Sequence, residues 1–121
     1  NAQLFRACRV VIDIGCHLEL KIPATETSFH PGETWNYALA VEMMETRGFQ
    51  DPQYAASEVT RYLGWPGQAI SYKVGERVIM ELREQLKQKQ GAAFRLKEFH
   101  QRVVGSGPVG LELLRELVLR D

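Results

Sequence analysis

The chain has no charge of either sign to spare. Fifteen Lys and Arg face fifteen Asp and Glu, so no basic excess is offered to a nucleic acid or an anionic membrane surface. It also lacks any apolar run approaching the roughly twenty residues that cross a bilayer. Cysteine is scarce, with Cys8 and Cys16 alone. Eight residues of helix would hold their Cα atoms about 12 Å apart, beyond disulfide reach. No CxxC or HxxxH spacing offers a metal pair. Reduced thiols, with no signal segment, give the expectation of a cytoplasmic protein. The self-contained catalytic motifs HExxH, GxSxG and GxxxxGKS/T are missing as well. The chain is therefore expected to be inert alone, with no metal site.

What is present reads as one helical domain. The 121 residues are 45% apolar and 25% charged, enough for a real core but not for two independent ones. Asn1-Ala2 reads as the scar of a cleaved tag, and residues 3–121 as a single domain cut from a longer protein.

Residues 4–16 carry Leu4, Phe5, Cys8, Val11, Ile12 and Ile14 with Arg6, Arg9 and Asp13 clustered on one side, a helical period. The run RVVIDI could instead form a buried strand; the charged stripe favours helix. Alternation at Leu18, Leu20 and Ile22 implies an extended stretch, and 23–32 a loop. A second helix is expected over 34–47, with Trp35, Leu39 and Met43 on one face and Gly48 as its stop. Asp51-Pro52 starts a third helix that ends before Pro66. The fourth should run from 66–68 to about 90, the fifth over 95–104, and a sixth after Pro108. The class is all-α, with five to six helices, short loops and antiparallel neighbours.

Chemistry concentrates in two places. Arg9, Asp13 and His17 recur every fourth residue, so a carboxylate flanked by a guanidinium and an imidazole can fix the His tautomer. His17 could then stabilise an oxyanion, or the stripe could simply pin the helix to its neighbours. The block Glu58–Gly75, EVTRYLGWPGQAISYKVG, gathers Arg61, Tyr62, Gln68 and Tyr72 around a Trp-Pro-Gly break. Tyr72 could donate to a tetrahedral intermediate while Gln68 positions substrate; alternatively Gln68 caps the helix and Tyr72 packs. Glu58 and Arg61 read as a surface pair, although Arg61 could bind a carboxylate. His30 is expected to be exposed, and His100 to satisfy a backbone carbonyl.

Three blocks, RACRVVIDIGCH (6–17), EVTRYLGWPGQAISYKVGERVIMELR (58–83) and FRLKEFHQRVVGSGPVGLELLRELV (94–118), resemble the end of the bacterial domain-of-unknown-function 885 family. Its members are large helical proteins similar to zinc metallopeptidases of the gluzincin kind. Their HExxPGH-like motif and EGWA-type helix hold the metal, and neither occurs here. The resemblance implies a C-terminal helical section of such a hydrolase, with zinc in the full-length parent, the rest of that chain as partner and a peptide as substrate. It implies that His17, Gln68, Tyr72 and Arg61 are transition-state donors and substrate-positioning groups, with Arg9 and Asp13 in support. Departures from the family pattern fall at Ile14, Cys16, the LELKIPATETSFHPGE segment and Arg95. A non-catalytic helical scaffold or interaction domain is the competing reading. If the hydrolase reading holds, the isolated chain should expose an apolar patch and self-associate through it.

Overall fold

A computed structural model describes residues 2–120. Asn1, half of the expected scar, lies outside them, and Ala2 already begins a helix. The fold is all-α: α1 Ala2–His17, α2 Tyr37–Thr46, α3 Pro52–Gly64, α4 Ser71–Gln90, α5 Leu96–Gly105 and α6 Leu111–Leu119. A 3-10 turn at Gly91–Ala93 follows α4. Among the described residues the only β feature is an isolated bridge between Lys21 and Thr34. RVVIDI is helical rather than a strand, because its period buries Cys8, Ile12 and Gly15 on one side of α1.

Packing groups the chain into two compact units, 1–73 and 74–121, so the single domain expected over 3–121 is distributed between two cores. In the first, α1, α2 and α3 enclose Ile12, Ala40, Met44, Ala55, Val59 and Tyr62. In the second, Leu82, Leu86, Phe99, Leu114 and Val118 form the centre. There Arg102 and Lys89 donate to the carbonyls of Val118, Arg120 and Leu119 at the end of α6. Cations suit a helix C-terminus, where backbone acceptors have no helical partner.

Caps explain most helix boundaries. The Asp51 carboxylate accepts from the Gln53 amide, with Pro52 in the first turn of α3. Asn36 caps α2 through Leu39, so that helix begins later than the expected residue 34. Helix α4 begins at Ser71 rather than at 66–68, because Gly67 takes a left-handed φ of +80° and the chain turns before it coils. Arg95, where the related pattern has Asp, provides no side-chain cap to α5.

The connection 18–36 is long, not short, and carries structure of its own. Ile22, Phe29 and Trp35 are buried anchors along it, and the Phe29 and Trp35 rings stack with centroids 5.7 Å apart. Trp35 lies against Gly15, where an added Cβ would come within 2.6 Å of the indole. This is a close approach that only glycine permits.

Candidate functional site

Within the first unit, α1, α3 and the 65–70 turn bring together Arg9, Asp13, His17, Arg61, Gln68 and Tyr72. The centre is Arg9, only 6% exposed. Its Nε donates to the Ala69 carbonyl at 3.3 Å and its Nη2 to Gln68 Oε1 at 3.2 Å. Its guanidinium lies 5.0 Å from the Tyr62 ring centroid, 4.9 Å from that of Tyr72 and 5.7 Å from that of Phe5. An aromatic cage favours a delocalised cation through the ring quadrupoles. Arg6 covers Tyr72 as well, at 4.6 Å.

Glu58 supplies the nearest negative charge. Its carboxylate accepts from Arg61 Nε at 3.2 Å and Nη2 at 2.7 Å, and from the buried Tyr62 hydroxyl at 2.7 Å. Arg9 Nη1 stands 3.7 Å away. Burial pushes the Glu58 pKa upward. The hydrogen bonds from Arg61 and Tyr62, with the charges of Arg61 and Arg9, outweigh that and hold it below 4.5. Burial first, then the bond to Glu58, raises the Tyr62 phenol far above 10.0, so it remains a donor. The expected Glu58–Arg61 pair exists, but only its Arg61 end is at the surface.

Gln68 joins the two arginines. Its Oε1 accepts from Arg9 and from Arg61 Nη1, each at 3.2 Å. Two guanidinium donors fix which end of the amide is oxygen, leaving the NH2 group with no hydrogen-bond partner among the described residues. The side chain therefore does not cap α4. It is the Gln68 carbonyl that binds the start of that helix, through the Ser71 amide and hydroxyl.

Asp13 is 3% exposed and accepts from the Gly67 amide at 3.1 and 3.3 Å. Its Oδ1 lies 2.8 Å from His17 Nδ1, which is also 2.8 Å from the Asp13 carbonyl. His17 Nε2 faces the Leu63 carbonyl at a longer, exposed 3.4 Å. The hydrogen bond to the Asp13 carbonyl raises the His17 pKa above 6.5. Partial burial opposes this, while the Leu63 carbonyl and the Asp13 carboxylate add to the rise. Arg9 does not flank Asp13 as the spacing suggested, because it turns to Gln68, Ala69 and Glu58 instead. Beside the His17 clamp is a shallow, mostly apolar pocket of about 190 Å³, lined by Ile14, Leu18, Pro66 and Ile70 with Asp13, His17 and Gly67.

Tyr72 is half exposed, and its hydroxyl has no hydrogen-bond partner among the described residues. Helix rise separates the Arg9 and His17 levels of α1 by about 12 Å, so His17 and Tyr72 address different ends of the cluster. Sequence reasoning missed Arg6, the Gly67 amide and the burial of Glu58. The placement of Glu58 three residues before Arg61 and four before Tyr62 was the available signal.

The other histidines lie elsewhere. His30 bridges Glu33 and Glu42, and those hydrogen bonds, Glu42 first, raise its pKa above 6.5. His100 is exposed beside the Phe99 ring and makes no carbonyl bond among the described residues, contrary to expectation. No group of three or more His, Cys, Asp or Glu among the described residues could hold a metal ion. The residues here therefore do not fit a zinc site.

A crystal structure described as that of "the putative lipoprotein from Colwellia psychrerythraea" is similar to this chain, with 34% identity and a TM-score of 0.77. The match covers 97% of this chain but 18% of that one, so the chain spans under a fifth of that protein's length. No curated protein matches. The family model "Bacterial protein of unknown function (DUF885)" matches residues 1–118. Nearly the whole chain is covered, and it belongs to the DUF885 family.

Proposed function

We propose that this chain is the C-terminal helical section of a longer zinc-dependent peptide hydrolase, to which it lends substrate-contacting donors. The observation that carries the reading is the cluster itself. Arg61, Gln68 and Tyr72 each keep polar hydrogens without a partner among the described residues, beside a buried Arg9 that holds Gln68 and the Tyr72 ring. Tyr72 is the transition-state donor and Arg61 with Gln68 positions substrate, while Arg9 and Asp13 hold the frame. His17, clamped through Nδ1 by Asp13, offers only its Nε2, by exchanging the long contact to Leu63. The zinc ligands and general base would come from chain outside these residues.

A second observation supports a larger partner. Leu4, Val11 and Ile14 on α1 and Leu18 just after it are all exposed, Leu18 by 65%, and with Ala7 they follow a three-four spacing. A helix apolar on both faces belongs inside a larger packing, and the rest of the longer chain is the proposed cover. The free thiols of Cys8 and Cys16 support cytoplasmic placement. No helix among the described residues is long and apolar enough to cross a membrane.

The scaffold reading draws on one feature, the internal satisfaction of Glu58 and Asp13, both fully engaged in packing. Metal analysis and peptide turnover separate the two. The longer protein should carry about one zinc and cleave members of a mixed peptide library, detected by mass spectrometry, whereas this chain alone should do neither. A well-folded, zinc-loaded longer protein that cleaves nothing in the library would overturn the hydrolase reading.

A further inference from the structure

We propose that Arg61 and Gln68 form a carboxylate subsite, which would seat an anionic group of a peptide. The choice of a peptide as carrier rests on the hydrolase reading; the anion site itself does not. Around this point lie three guanidiniums, those of Arg6, Arg9 and Arg61, of which Arg9 and Arg61 face the Glu58 carboxylate. Arg6 has no ion pair among the described residues, and Arg9 is 3.7 Å from its only carboxylate. Asp13, the other buried acid, is engaged by His17 and the Gly67 amide. A chain of zero net charge thus holds a local positive excess beside a partly open surface.

The unused donors belong to side chains that reach solvent, Arg61 exposed and Gln68 half-buried. A guanidinium carries five N–H groups. Arg61 gives two to Glu58 and one to Gln68, leaving two, on a side chain 40% exposed. Gln68 has its oxygen anchored by both arginines, so its NH2 group is the end left over. The two side chains together leave a set composed only of donors. Such a set, with surplus positive charge and a planar guanidinium edge, matches the two acceptor oxygens of a carboxylate. Arg9, itself only 6% exposed, serves as a positioning residue by holding Gln68 Oε1.

The test is an NMR titration of the isotope-labelled 121-residue chain with N-acetylglycine, with the neutral N-acetylglycinamide and inorganic phosphate as comparison probes. The carboxylate should shift the Gln68 side-chain amide and Arg61 Nε signals saturably, and the amide should bind at least about tenfold more weakly. Tyr72→Phe should leave carboxylate binding within about twofold of that of the unaltered chain, since its hydroxyl serves the transition state. Arg61→Met should abolish the response. Equal binding of acid and amide, shifts confined to other residues, or no response up to about 50 mM would each overturn the proposal. Tighter binding of phosphate would overturn the carboxylate assignment. Carboxylate binding here, with no peptide cleavage by the longer protein, would remove the hydrolase reading and leave the subsite standing.

Discussion

Arg9 and Arg61 donate to the same atom, Gln68 Oε1, each at 3.2 Å, although one lies on α1 and the other on α3. A neutral amide thus fixes two like charges that Glu58 alone must offset. Replacing Gln68 by Ala removes two charge-assisted hydrogen bonds and leaves Arg9 short of a partner. We expect a loss of about 1–3 kcal/mol in urea unfolding. Arg9→Ala should cost more, about 3–5 kcal/mol, because Glu58 loses a counter-charge and the aromatic cage its content.

Tyr62 and Tyr72 separate structure from function. Tyr62→Phe leaves the buried Glu58 carboxylate without its 2.7 Å phenol donor, and should lower stability by about 1–3 kcal/mol. Tyr72→Phe removes a hydroxyl with no protein partner among the described residues, so the unfolding midpoint should not move.

Two glycines should respond differently to alanine. At Gly15 the new Cβ would meet the Trp35 indole at 2.6 Å, and displacing a buried tryptophan should cost about 1–3 kcal/mol. At Gly67 there is open space, but φ is +80°, so the cost of Gly67→Ala is backbone strain of about 1–2 kcal/mol. Thermal unfolding checks both, and the Gly15 variant should also change tryptophan fluorescence.

The His17 clamp gives a pH dependence. Its folded pKa lies above 6.5, so the folded state binds the proton more tightly than the unfolded one. The stabilisation is complete below pH 6.5 and fades as pH rises through the folded pKa. His30, held by Glu33 and Glu42, adds a contribution of the same sign. His17→Asn should flatten the melting temperature between about pH 6 and 8, and His17→Asn with His30→Asn should flatten it further. Glu58 acts oppositely: its contribution is present above pH 4.5 and is lost on acidification through its depressed folded pKa.

The exposed stripe on α1 predicts self-association of the isolated chain. Sedimentation at high concentration should show it, and Val11→Glu with Leu18→Glu should restore the monomer without lowering the melting temperature. A strictly monomeric 121-residue chain at high concentration would contradict this.

The helices were legible because their signals are local: a 3.6-residue period, the Asp51-Pro52 cap, the stop at Gly91. The His17–Asp13 contact was legible for the same reason, being one turn apart. What escaped was set by distant residues. Helix α4 starts late because Gly67 turns to offer its amide to Asp13, 54 residues earlier. Arg9 leaves its neighbour Asp13 for Gln68 and Ala69, a choice made by packing rather than spacing. Glu58 looks like a surface acid in sequence, and only the aromatic and cationic neighbours of the folded state make its burial tolerable.

Turnover of Tyr72→Phe in the longer, zinc-loaded protein tests the central claim most directly, with Tyr62→Phe beside it. On a peptide cleaved by the parent, Tyr72→Phe should lower kcat/KM by about 10- to 100-fold at unchanged melting temperature. Unaltered turnover by Tyr72→Phe would contradict the account and leave this helical section a scaffold.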